Sequence, residues 1–210
     1  MNKYLVEFIG TFFLVFTIGS VVIGPGSTDF APVAIGGVLM VMVFMGGHIS
    51  GAHYNPAVTL AVFLRGKCDA KDVLPYFAAQ CLAAAFAACA VLYLKGPDAV
   101  IAVLDPASNL PQVILAEALF TFALAFVILN VATAKGTEGN SFYGLAIGST
   151  VMVGAFAVGG VSGGVFNPAV AVGISVMGLS EWSNIWIYLL ANFAGGVLAA
   201  FTFKYVTKPD

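Results

Sequence analysis

Apolar residues fill most of this chain in six long runs that short polar connections separate. The hydrocarbon core of a bilayer is about 30 Å thick, and a helix needs about 20 apolar residues to cross it. Six segments have that length and composition. We predict membrane-spanning helices over residues 4–24, 33–50, 73–94, 112–134, 142–160 and 184–206. The connections, such as residues 25–29, 95–111 and 135–140, contain turn residues and most of the charge.

Two further apolar stretches, residues 55–64 and 167–177, are too short to cross a bilayer. At a rise of 1.5 Å per residue, about ten helical residues reach about 15 Å, half of the hydrocarbon core. The open backbone ends of such a piece are tolerated only inside protein or beside a water-filled cavity. We therefore predict two half-helices that meet end to end and line one pore.

Composition agrees with a membrane location. The chain is 60% hydrophobic and 9% charged, whereas soluble domains average about 25% charged residues. The net charge is only -2, and no basic run is present, so nucleic acid is excluded as a partner. The first apolar run has no signal-peptide cleavage site, so we expect it to be retained as the first membrane helix.

The cations are distributed unevenly over the predicted loops. Six spans place both termini on one side of the membrane, and the opposite side receives only Lys95. The terminal side receives Lys3, Arg65, Lys67, Lys71, Lys135, Lys204 and Lys208. Because cytoplasmic loops collect Lys and Arg, we predict a multi-pass protein of the cell membrane with both termini in the cytoplasm.

The two halves of the chain repeat each other. Glu7-x-x-x-Thr11 in the first span matches Glu117-x-x-x-Thr121 in the fourth, and each half continues through a glycine-rich turn into Asn-Pro-Ala-Val. Since three spans make each half, the repeats, residues 1–95 and 110–210, must be inverted in the membrane. The predicted fold is all-α, with six transmembrane helices plus two half-helices in an inverted 3+3 repeat, forming a single channel domain over residues 1–210.

The paired motifs carry a resemblance to a known family. Asn55-Pro56-Ala57, preceded by His-Ile-Ser-Gly-Ala-His, and Asn167-Pro168-Ala169 occur at matching places in the two repeats. Over essentially its whole length the chain resembles the aquaporin or major intrinsic protein family. The resemblance implies a homotetramer with one pore per subunit. It also implies passive passage of water or small uncharged solutes such as polyols and urea, without catalysis, cofactor or metal.

Asn followed by Pro is a typical helix start, with Asn as the N-cap and Pro at the first helical position. With its oxygen used in capping, the amide NH₂ of Asn55 or Asn167 is free to donate to a passing solute. Each half-helix N-terminus also carries about half a positive charge, which disfavours cations at the midplane.

The resemblance implies further pore residues. Backbone carbonyls facing the solute would come from Gly51, Ala52, His53, Tyr54, Gly163, Gly164, Val165 and Phe166. The four positions of the family's selectivity filter correspond to Ile35, Ala155, Gly164 and Val170. The family usually has Arg at the last of these, and glycerol-conducting relatives commonly have Asp at the position of Ala171. The four apolar filter positions, without the Arg, predict a wider, more apolar mouth that admits larger neutral solutes. The missing Asp does not support a plain glycerol facilitator, so a metalloid acid such as arsenite is a further candidate solute.

Glu7 and Glu117 lie within predicted spans, where an acidic side chain costs about 2.5 to 3.5 kcal/mol at the centre. One interpretation is a proton relay. The other, which the resemblance favours, is a structural acceptor for loop N–H groups near the half-helices. The two histidines, His48 and His53, are too few for a metal site, so a pore-facing or loop-bracing role is expected.

Three features are assigned to packing. Cys68, Cys81 and Cys89 form no CxxC pair and are interpreted as structural. The alanine-rich third span and Gly195-Gly196 in the last span suit close helix crossings.

Two other functions remain open at this stage. Inverted repeats with broken helices also occur in secondary transporters, but only Glu7 and Glu117 would be left to bind a coupling ion. The same fold could also serve as a non-conducting structural membrane protein. An enzyme is not supported, because no nucleophile–base pair or phosphate loop occurs at usable spacing.

Overall fold

The computed structural model describes residues 2–99 and 104–207, so the predicted cytoplasmic cation Lys208 lies outside the described residues. Eight α-helices follow in chain order: α1 Asn2–Val22, α2 Ala31–Ser50, α3 Pro56–Arg65, α4 Ala70–Lys95, α5 Leu110–Thr133, α6 Tyr143–Ser162, α7 Pro168–Val176 and α8 Ile185–Val206. Six of them are long and apolar enough to cross a membrane. The predicted fold is confirmed, and the predicted helix ends differ from the observed ones by a few residues.

Corresponding helices of the two repeats make corresponding contacts. In the first repeat α1 packs against α2 and α4, and in the second α5 packs against α6 and α8. Each half-helix crosses into the other repeat, since α3 packs against α8 and α7 packs against α4. The repeats therefore interlock around the two half-helices.

Glycine ends the helix that precedes each half-helix. Gly51 after α2 has φ 87° and Gly163 after α6 has φ 88°, left-handed values that glycine adopts at little cost. The chain then turns back into the protein through two irregular segments, residues 51–54 and 163–166. Each segment ends at an Asn that caps a half-helix.

The ends of α1 and α4 show which loops share a side. Lys3 near the start of α1 forms an ion pair with Asp72 near the start of α4. At the other ends, the Lys95 ammonium donates to the carbonyl of Pro25. These two helices therefore run in the same direction, as a six-span topology requires.

Small residues bring helices into close contact. Ala83, Ala84, Ala87 and Ala88 on α4 are fully buried. A Cβ on Gly195 would lie 2.5 Å from the carbonyl oxygen of Ala118 on α5. The assignment of Gly195 to helix packing is therefore borne out by a contact that only glycine allows.

We predict that Gly195→Ala lowers the thermal unfolding temperature of the detergent-purified protein. The added methyl group meets backbone rather than a flexible side chain, so α5 and α8 must separate, at a cost of about 1 to 3 kcal/mol. Gly37→Ala is the matched control, because a Cβ there has nothing within 4 Å. Equal unfolding temperatures for the two variants would contradict this account.

Candidate functional site

The Glu7 carboxylate organises the first irregular segment. It is fully buried and accepts the Ser50 hydroxyl at 2.7 Å and the backbone N–H groups of His53 at 2.9 Å and Tyr54 at 2.7 Å. The Gln80 side-chain amide on α4 donates to it at 2.8 Å. Four donors from three parts of the chain thus converge on one carboxylate.

Glu117 makes the equivalent contacts in the second repeat. Its carboxylate accepts the Ser162 hydroxyl at 2.7 Å and the N–H groups of Val165 at 2.9 Å and Phe166 at 2.7 Å. The Asn192 amide on α8 donates at 2.9 Å. Because hydrogen bonds to the ionised form stabilise a buried carboxylate, this geometry supports the structural role over the proton relay.

The two N-cap asparagines bond across the midplane. Each uses its side-chain oxygen to accept the N–H of the second residue after it, at 2.9 Å in both motifs. The Asn55 amide donates to the carbonyl of Phe166 at 2.9 Å, and the Asn167 amide donates to the carbonyl of Tyr54 at 2.9 Å. One N–H of each amide is therefore already bonded. The sequence predicted a free NH₂ group, whereas the structure leaves one N–H of each asparagine to donate to a solute.

The irregular segments have unusual backbone geometry. Ala52, Tyr54 and Phe166 have φ of 50°, 51° and 50°, in the left-handed region that non-glycine residues seldom occupy. Such strain persists only where surrounding contacts hold it, and the two carboxylates supply those contacts. The carbonyls of Tyr54 and Phe166 accept the two asparagine amides.

A cavity of about 480 Å³ lies over one side of the two motifs. All four predicted filter positions, Ile35, Ala155, Gly164 and Val170, line it, and so do Asn55 and Asn167. The rest of its described lining is mostly Leu, Ile, Val, Ala and Gly, without Asp, Glu, Lys or Arg. We call this space the apolar cavity. Val170 is only 3% exposed.

Sequence reasoning missed Leu104, which also lines the apolar cavity. Its N–H donates to the carbonyl of Leu179 at 2.7 Å, and its Cδ1 would lie 2.7 Å from a Cβ on Gly163. The lining residue therefore comes from a loop that shows no motif, so no signal in the sequence could have identified it.

A second cavity, of about 870 Å³, opens on the other side of the motifs. Lys3, Lys67, Lys135, Asp72 and Glu138 are among its lining residues, and we call it the charged vestibule. His53, Ile128 and Ile147 line both cavities. The two cavities therefore lie on either side of these three residues.

Two residues singled out from the sequence, His48 and Cys68, lie at the charged vestibule. His48 lines it and is exposed, and Cys68 lies nearby. Burial raises the pKa of the Cys68 thiol, which lowers the thiolate fraction needed for reactivity. The three cysteines are free thiols.

Comparison with known proteins identifies the family. The family model described as Major intrinsic protein matches residues 1–203. A relative named glycerol uptake facilitator protein-like 6, from Lactiplantibacillus plantarum, is 37% identical over an alignment that covers 100% of both chains. Aquaporin NIP1-4 from Oryza sativa subsp. japonica is also 37% identical, over 98% of this chain and 77% of that relative.

A solved structure shares the fold. The aquaglyceroporin from Plasmodium falciparum matches with a TM-score of 0.80 over 97% of this chain and 95% of that chain. At 23% sequence identity, this likeness concerns the fold alone. Because the family model spans nearly the whole chain and both relatives align over almost all of it, the protein belongs to the major intrinsic protein family.

Proposed function

We propose that the pore admits small uncharged solutes larger than water, polyols and urea among them, as well as water itself. A member of this family is a passive membrane channel for water and small uncharged solutes, not an enzyme. The observation that carries the finer proposal is the apolar mouth, where Ile35, Ala155, Gly164 and Val170 face one cavity. No long or charged side chain narrows the opening among these four positions.

Two properties of the side chain at position 170 decide which solutes enter: the volume it occupies in the mouth and the number of hydrogen bonds it can donate. An Arg at the position of Val170 would occupy much of the mouth and offer up to five N–H donors. Valine leaves that volume open and donates nothing, so the mouth selects by size and by the absence of charge. The name of one relative, glycerol uptake facilitator protein-like 6, agrees with this direction.

We assign the remaining pore roles as follows. The second amide N–H of Asn55 and of Asn167 donates to the solute at the midplane, and the carbonyls of residues 51–53 and 163–165 accept from it. Glu7 and Glu117 hold the segments that carry these carbonyls. The half-helix N-termini, whose partial positive charges meet at the same place, repel cations. The whole chain acts as one channel domain.

Topology and assembly follow the same proposal. Lys3, Lys67 and Lys135 share the charged vestibule, and the positive-inside rule assigns that side and both termini to the cytoplasm of a cell membrane. A homotetramer with one pore per subunit is proposed from the family. Light scattering of the detergent-solubilised protein measures the mass of the assembly, and a monomer would reject the tetramer.

Stopped-flow light scattering on proteoliposomes tests the solute proposal. Sucrose gradients report water loss, and subsequent reswelling in glycerol or urea reports solute entry, each compared with empty vesicles. We expect fast shrinkage and fast reswelling that rises linearly with solute concentration. Reswelling no faster than in empty vesicles would reject the wide pore, and saturable uptake that depends on an ion gradient would support the secondary transporter instead.

Arsenite is a separate case of the same proposal, since its acid form is small, neutral and hydroxylated. We predict uptake of arsenite into proteoliposomes above the rate of empty vesicles at neutral pH. Uptake at the background rate would remove metalloid acids from the solute range.

A further inference from the structure

The two repeats place equivalent residues on opposite sides of the motifs. The sequence offset that aligns Asn55 with Asn167 also aligns Ser50 with Ser162, and each of these serines donates to the buried glutamate of its own repeat. Because the repeats are inverted, a position on the side of the apolar cavity has its counterpart on the side of the charged vestibule. Each of the four filter positions therefore has a counterpart on the vestibule side.

The counterparts are bulkier than the filter residues. For Ile35, Ala155, Gly164 and Val170 they are, in that order, Ile147, Val43, Ala52 and Val58. Two pairs are identical in type, but Val43 is larger than Ala155, and Ala52 is larger than Gly164. All four counterparts are buried. The vestibule side of the motifs is therefore more crowded than the mouth.

The apolar cavity continues past the filter and ends at the level of the counterparts. Two filter residues, Ile35 and Ala155, line it, and so do both motif asparagines and Ile147. Val43 lines the charged vestibule instead, and Ile128 and Ile147 line both cavities. The filter thus lies within one open space, whereas apolar side chains on α2, α5 and α6 separate this space from the vestibule.

A backbone contact fixes the spacing of α2 and α6 beside these side chains. A Cβ on Gly36 of α2 would lie 2.6 Å from the carbonyl oxygen of Gly148 on α6, and Ile147 is the residue before Gly148. Protein interiors packed this closely change width little without strain. The free width next to the contact is therefore set by the side chains of Val43 and Ile147.

We infer that Val43, Ile128 and Ile147 form an apolar inner constriction, and that this constriction, rather than the filter, sets the largest solute that the pore passes. The inference rests on the proposed passage of neutral solutes. An arginine at position 170 would make the mouth the narrower place, but Val170 leaves it open, so the bulkier set becomes limiting. An apolar constriction selects by size and by the cost of removing water from the solute.

A truncation on each side of the motifs tests where the size limit lies. Reswelling of proteoliposomes is measured in glycerol and in ribitol, a longer polyol, for Val43→Ala and for Ile35→Ala. We expect the ribitol-to-glycerol ratio to rise at least about fivefold in Val43→Ala, equivalent to a barrier lower by about 1 kcal/mol, and to keep its wild-type value in Ile35→Ala. The ratio cancels differences in the amount of active protein. Equal ratios in the two variants would overturn the inference.

The converse change needs no truncation of a buried residue. Ala155→Val gives the filter position the side chain of its counterpart, Val43, so the mouth becomes at most about as narrow as the inner constriction already is. We expect glycerol permeability, relative to water permeability, to stay close to wild type. A fall of about tenfold, equivalent to about 1.4 kcal/mol, would show that the filter already limits passage and would overturn the inference.

Failure of the proposed function gives a different result. If wild type passes water but no glycerol, the proposed solute range is wrong, and the inner constriction then predicts that Val43→Ala gains glycerol entry while Ile35→Ala does not. Glycerol entry gained by neither variant, or by Ile35→Ala alone, would overturn the inner constriction as well.

Discussion

Replacing Glu117 by alanine is expected to remove most of the folded channel from the membrane. The change leaves four donors without their acceptor: the Ser162 hydroxyl, the N–H groups of Val165 and Phe166, and the Asn192 amide. An unsatisfied buried donor costs about 1 to 3 kcal/mol, and proteins are stable by about 5 to 15 kcal/mol. Even with incomplete additivity, the loss is comparable with the whole stability of the fold.

The measurement is the yield and the thermal unfolding temperature of purified protein, judged with size-exclusion chromatography. Glu181→Ala is the control, because that side chain is exposed at the start of the last span. Glu117→Gln is informative as well, since it keeps the volume but turns one acceptor into a donor that faces other donors. If Glu117→Ala folds normally and only proton movement changes, the relay interpretation is correct and the structural one is wrong.

Introducing the arginine that the filter lacks is expected to abolish polyol passage while water passage continues. Val170 lies at the third position of α7, beside the capping Asn167, and it faces the apolar cavity. A guanidinium there fills the space between Ile35, Ala155 and Gly164 and adds a positive charge. We predict at least an approximately tenfold fall in glycerol permeability, equivalent to about 1.4 kcal/mol, with a smaller fall for water.

Val170→Leu separates size from charge in this experiment. Leucine enlarges the side chain by one methylene group without adding donors, so glycerol permeability should fall less than in Val170→Arg. Both variants are measured against wild type in vesicles of equal protein content, quantified after reconstitution. If Val170→Arg conducts glycerol as well as wild type does, Val170 does not face the narrowest part of the path.

Local signals allowed much of this fold to be predicted. The half-helices were predictable because Asn-Pro sets a cap and a first turn within a few residues, and the structure shows Asn55 and Asn167 as N-caps. The spans were predictable because the thickness of the bilayer sets their length. The helix ends shifted by a few residues because caps and neighbouring loops, not hydrophobicity, decide where a helix stops.

Contacts between distant parts of the chain could not be predicted in the same way. The bond between the Asn55 amide and the carbonyl of Phe166 joins groups in opposite repeats, and no residue pattern encodes it. Leu104 enters the pore through its pairing with Leu179, which lies in the second repeat. Each requires the packed structure, because the partners meet only after the repeats have interlocked.

Glycerol reswelling of wild-type proteoliposomes, compared with empty vesicles of the same lipid, is the most direct test of the apolar mouth. The account predicts that vesicles containing the protein shrink and then reswell rapidly in glycerol, and that they also shrink rapidly in sucrose but do not reswell. Rapid water loss in sucrose combined with glycerol entry at the rate of empty vesicles would contradict it, since the pore would then exclude polyols despite the absence of the filter arginine.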